Sequence, residues 1–152
     1  SYLRLSLPDG QVHSCHAKLV ASLIRALRPG DVVLSTWAAD GHPDHEATAV
    51  AVAEACAAAL CTHLQSPVWM WHWAVPGDSR VPWTQMRRLR LTLDAQRRKK
   101  LALLVHGSQL TAQDSGAPPV LSPAAIRRML RPFEYVFIAQ QRHLVDGLEN
   151  GA

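Results

Sequence analysis

The strongest constraint on the fold lies between Val32 and Thr62. The β-branched run Val32-Val33-Leu34-Ser35-Thr36 reads as a buried strand, Trp37 to His45 as a polar loop with one glycine, and the alanine-rich stretch Glu46 to Thr62 as a helix. Strand, loop and helix in that order point to an α/β domain, and the flanking segments continue the alternation. Before it, Leu19, Val20, Leu23, Ile24 and Leu27 recur at the spacing of one helical face, and Arg28-Pro29-Gly30-Asp31 ends that helix.

After it, Val68 to Ala74 alternates Trp69, Trp71 and Trp73 with Val68, Met70 and His72, which predicts a strand whose indoles form core or sheet cover. Arg88 to Leu93 alternates again. Asp94 is placed to cap a basic helix from Ala95 to about Val105, whose Arg97-Arg98-Lys99-Lys100 run reads as a solvated face rather than a nucleic-acid patch. Ser122-Pro123 opens a last helix, and Phe133 to Ala139 is an apolar closing strand. The whole predicts an α/β fold with a largely parallel sheet flanked by helices. The hairpin-like spacing around Trp73 and Leu89 leaves room for an antiparallel addition.

The chain of 152 residues is the size of one domain with one core. Its 48% hydrophobic and 18% charged residues, without an apolar run long enough for a bilayer, exclude a disordered, collagen-like or membrane-spanning chain. Sixteen Lys and Arg against twelve Asp and Glu leave a formal charge of +4, which by itself selects neither nucleic acid nor an anionic substrate. Cys15, Cys56 and Cys61 are odd in number and lack CxxC spacing, and Ser1 to Gly10 has no signal-peptide pattern, so a reducing, cytoplasmic setting is expected.

The densest polar cluster, Asp40-Gly41-His42-Pro43-Asp44-His45-Glu46, falls between the predicted strand and the alanine helix, at the carboxyl end of a strand where α/β sheets bind ligands. Imidazoles and carboxylates suit zinc, and Gly41 and Pro43 shape the loop. The residues alone leave two readings: a ligand-binding turn, with His42 and His45 projecting to one side, or Asp44 as a helix cap beside solvated histidines.

The stretch Trp37-Ala-Ala-Asp-Gly-His-Pro-Asp-His-Glu-Ala47 closely resembles the second signature of the LmbE-like (PIG-L) family of zinc-dependent N-acetylglucosaminyl deacetylases. Leu5-Ser-Leu-Pro-Asp-Gly10 resembles the family's segment ahead of the preceding helix, and Lys100 through His106-Gly-Ser-Gln109 resembles a later element. The resemblance implies a Rossmann-like fold and a hydrolase that removes the N-acetyl group of an N-acetylglucosamine-containing small molecule or glycoconjugate. It implies that His45 is a zinc ligand, that His42 stabilises the transition state or acts as general acid, and that Asp44 is the hydrogen-bonding partner of His42. Asp40, His106 and Gln109 are expected near the site.

The family's first signature, a histidine-proline-aspartate-aspartate block that supplies the other zinc ligands and the general base, does not occur in these residues. Residues 1–152 are accordingly expected to be the carboxyl-terminal part of a single deacetylase domain, incomplete as an enzyme by itself. Its expected partners are the N-acetylated amino-sugar substrate and either the missing amino-terminal segment or a second copy, with no nucleic acid and no membrane span. The alternative is a non-catalytic binding or interaction module that keeps the fold without the metal site.

Overall fold

The computed structural model describes residues 2–112 and 116–139. Its helices are α1 (His16–Ala26), α2 (Pro43–Ala59), α3 (Met70–Trp73), α4 (Leu93–Val105), α5 (Gly107–Leu110) and α6 (Pro123–Met129), and its strands are β1 (Val32–Thr36), β2 (Thr62–Ser66), β3 (Met86–Arg90) and β4 (Phe133–Ile138). Hydrogen bonding orders the strands β1-β2-β4-β3. The protein is α/β, but the sheet is mixed rather than largely parallel. β1 and β2 run parallel from Val32 opposite Thr62 to Thr36 opposite Ser66, whereas β2 meets β4 antiparallel at Leu64–Ile138 and Gln65–Phe137. The parallel pair follows from the α2 crossover, since parallel neighbours need a connection long enough to return the chain to the same end.

Backbone contacts divide the described residues into two compact units, residues 2–69 with 137–139, and residues 70–112 with 116–136. In the first, α1 and α2 pack through small side chains. Ala51 and Ala55 of α2 are fully buried against Leu19 and Val20 of α1, with Leu5, Leu7 and Val12 closing the cluster, while Val52, Cys56 and Cys61 form a second cluster with Val33. None of the three cysteines is in a disulfide. Burial, with Cys61 beside it, pushes the Cys56 thiol up to about 11, so it packs as an inert apolar group.

β1 is a strand, as expected, but not a buried one. It stands at the end of the strand order and exposes Val32 and Leu34. β2 was not expected at all: the alanine helix stops at Ala59, Leu60 takes a left-handed conformation (φ 56°), and the chain re-enters the sheet at Thr62. Its buried face carries His63 and Gln65, the reverse of an amphipathic strand. Both find partners, because Gln65 Oε1 accepts the Ala38 N–H at 3.1 Å and His63 Nε2 lies 2.8 Å from Ser35 Oγ.

Ser35 Oγ also donates to the Thr36 carbonyl at 2.7 Å, so the shared proton on the second contact belongs to His63 Nε2, and Nδ1 is left as a buried lone pair without a partner. Protonating Nδ1 would bury an unpaired N–H, and burial holds the His63 imidazole below its ordinary value of 6.5. The unfolded chain therefore takes up this proton before the folded one does. Stability from this group is complete above about pH 6.5 and declines as pH falls below it. Urea midpoints measured across pH 7.5 to 5 should fall with pH, and His63→Gln should flatten that slope; an unchanged slope in the variant would rule His63 out as its source.

In the second unit, Met70–Trp73 forms α3 rather than a strand, so Trp71 and Trp73 do not share one face. Trp71 packs against Tyr135 with ring centroids 5.4 Å apart, and Arg80 lies 4.3 Å over the Trp73 ring. α4 starts at Leu93, capped by Thr92 rather than Asp94: Thr92 Oγ1 accepts the Ala95 N–H at 3.2 Å. Its basic run is a salt-bridged surface, with Arg98 on Asp94 and Lys99 on Glu134. Ser122 and Pro123 open α6 as expected, Ser122 Oγ accepting the Ala125 N–H. Among the described residues, no helix is long and apolar enough to cross a membrane.

Candidate functional site

The polar turn connects β1 to α2, and its shape is set locally. Gly41 takes φ 84°, a conformation that disfavours a side chain, and its N–H donates to Glu46 Oε1 at 2.9 Å. His42 is extended (φ −127°, ψ 123°), as a residue before proline must be, and Pro43 at the first helical position starts α2 there rather than at Glu46. His42 and His45 thus stand one helical turn apart at the start of α2. Their rings stack with centroids 4.4 Å apart and 29° between planes, so both imidazoles do project to one side. Trp69 closes edge-on against His42 at 5.7 Å.

Behind the imidazoles sits Asp40, which is fully buried. Its Oδ1 accepts the Val68 N–H at 2.9 Å, and its Oδ2 accepts the Trp69 N–H at 2.8 Å and His45 Nδ1–H at 2.5 Å. One carboxylate therefore fixes the backbone at Val68 and Trp69 and the tautomer of His45. With Nδ1 engaged, Nε2 is the nitrogen of His45 able to ligate a metal, and a carboxylate behind a histidine is the arrangement that orients metal ligands. Thr36 Oγ1 donates to the His45 carbonyl at 2.8 Å and ties the same residue to the end of β1.

Asp44 takes neither role considered for it. No side chain caps α2, and the Asp44 carboxylate instead reaches back to the amino-terminal turn, accepting Gly10 N–H on Oδ2 at 2.6 Å and Val12 N–H on Oδ1 at 3.1 Å. Those bonds, the one from Val12 first, hold its pKa below the usual carboxylate range. His42 Nδ1 is buried with no hydrogen-bond partner, so Asp44 is not the hydrogen-bonding partner expected for it. Leu5 to Gly10, which the sequence resemblance placed ahead of α1, is thereby anchored to the turn itself.

Two nearly parallel imidazoles do not aim their in-plane lone pairs at one point about 2.0–2.1 Å from each, which separates their chemistry: His45 can ligate while His42 stands beside it as a donor or acceptor. Among the described residues no group of three or more His, Cys, Asp or Glu is placed to hold a metal ion. The turn fits one ligand of a zinc site and does not make a closed one. His106 and Gln109 belong to the second unit. His106 ends α4 and its carbonyl accepts the Gln109 N–H at 2.9 Å, while the Gln109 carbonyl accepts the Leu121 N–H at 3.0 Å.

Of the residues that build the turn, sequence reasoning missed Trp69, Thr36 and Gly10. Their only signal is tertiary, since each meets the turn across a loop or a strand. No protein-family model, curated protein or solved structure matches the chain.

Proposed function

We propose that the β1–α2 turn is one half of a zinc-dependent N-deacetylase site acting on the N-acetyl group of an N-acetylglucosamine-containing small molecule or glycoconjugate. The observation that supports it is the buried Asp40 carboxylate on His45 Nδ1, which presents Nε2 as a ligand beside a stacked second imidazole. His45 is the ligand. His42, stacked beside it, is the donor to the oxyanion or leaving amine. A zinc ion held by His45 and ligands from outside the turn would supply Lewis-acid polarisation of the amide and activation of water. The remaining ligands and the general base must come from residues other than these, and the end strand β1, with Val32 and Leu34 exposed, is where a further segment or a second copy would pair. A cytoplasmic setting and a Rossmann-like fold belong to the same proposal.

The test is deacetylation of an N-acetylglucosamine derivative together with elemental analysis, in the protein that includes any residues encoded ahead of Ser1. His45→Ala is expected to remove zinc and activity together, whereas His42→Ala keeps zinc and slows turnover about 10²–10³-fold, the cost of one transition-state donor. If the two variants behave alike, the division of roles is wrong. If the unsubstituted protein neither holds zinc nor deacetylates, the turn is part of a binding module instead.

A further inference from the structure

The second unit contains a cavity of about 290 Å³ that is independent of the β1–α2 turn and of the function proposed for it. It is lined by Trp71 and Trp83 with Val75 and Pro76, and by two cationic residues, Arg128 and Arg131. The volume suits a molecule of one or two fused rings, at the small end of ligand pockets.

The walls are held in place before any ligand arrives. Trp83 is partly exposed, yet its Nε1–H donates to the Asp78 carbonyl at 2.9 Å, which fixes the indole at the rim. The Asp78 carboxylate is itself gripped by Arg80, Nη2 at 2.7 Å and Nε at 2.9 Å, and those bonds hold its pKa down to about 2, so the carboxylate stays ionised and paired through the neutral range. Arg128 Nη1 donates to the carbonyls of Trp71 and Ala74, so its guanidinium serves the end of α3. Arg131 differs. It is exposed just past the end of α6, and among the described residues it makes no hydrogen bond or ion pair.

We propose that this cavity binds a small planar aromatic carboxylate, its ring between Trp71 and Trp83 and its carboxylate on the Arg131 guanidinium. Indole surfaces favour a flat π face, and a guanidinium matches a carboxylate in bidentate geometry. A polyhydroxylated ligand is disfavoured by the same walls: Arg128 is already engaged and the remaining lining is apolar, so buried hydroxyls would lose water without gaining partners.

The probes are 2-naphthoate and its neutral analogue 2-naphthalenemethanol, titrated into the intact chain by calorimetry, with the Trp83 indole N–H followed by NMR and assigned through Trp83→Phe. The expected result is saturable one-to-one binding that shifts the Trp83 resonance, with the carboxylate roughly five- to tenfold tighter than the alcohol, as one charge-assisted contact at a partly exposed site provides. Arg131→Gln should erase that preference while leaving the thermal midpoint and the alcohol's affinity unchanged, because the residue is exposed and, among the described residues, has no hydrogen bond or ion pair to lose. Trp83→Ala should weaken both probes. Absence of saturable binding, equal affinity for the two probes, or a preference that survives Arg131→Gln would each overturn the proposal.

Discussion

Asp40→Ala is expected to cost on the order of 4 kcal/mol of stability. The carboxylate is fully buried and satisfies Val68 N–H, Trp69 N–H and His45 Nδ1–H at once. Removing it leaves three donors without an acceptor, and each unsatisfied buried group costs about 1–3 kcal/mol, partly recovered where water can enter the vacated space. Against a total stability of about 5–15 kcal/mol for a domain, that is a large share. Asp40→Asn keeps one carbonyl oxygen but turns an amide N–H₂ toward a donor, so it should lose about half as much. Urea denaturation measures both, with an unchanged m-value showing that the effect is on the native state. The ¹⁵N shifts of His45 report the second consequence: without Asp40 the imidazole no longer holds one tautomer. A loss below about 1 kcal/mol for the alanine variant would show that the carboxylate does not organise the turn.

Ala55→Leu is expected to destabilise by about 2–3 kcal/mol, near the upper end of what overpacking costs. Ala55 and Ala51 are fully buried where α2 meets Leu19 and Val20 of α1, and the approach of the two helices depends on the absence of side chain beyond Cβ. A leucine there has to push α1 away or leave its rotamer well. Ala57 lies on the exposed face of the same helix, and Ala57→Leu should change stability by less than about 0.5 kcal/mol. Equal effects at the two positions would mean that the alanines of α2 are chosen for helix propensity alone. The comparison also bears on the site, because α2 is the element that sets His42 and His45 one turn apart.

The two alanine positions show why the packing of α2 was illegible in the sequence while its existence was not. A helix that is alanine on most faces advertises propensity but no stripe, so nothing local says which face meets α1. α1 is the opposite case: Leu19, Val20 and Leu23 recur at helical spacing and pack in the cores found for them. β2 was missed because its inward residues are His63 and Gln65, which only a partner such as Ser35 or Ala38 N–H makes tolerable inside. α3 was misread because alternating tryptophans imitate a strand, and a run this short carries too few residues to separate a period of two from one of 3.6.

What the sequence determined by itself is what neighbouring residues decide among themselves: proline at the first turn of α6, a serine cap at Ser122, and the stop at Pro29-Gly30. Each rests on torsional preferences or hydrogen bonds that close within about one helical turn. What only the tertiary structure decided is which donors the carboxylates take. Asp40 finds Val68 and Trp69, 28 and 29 residues away, and Asp44 finds Gly10 and Val12 at separations of 34 and 32. A carboxylate accepts from any N–H of suitable geometry, so its partner is set by where the folded backbone brings unpaired donors, and local spacing holds no record of that.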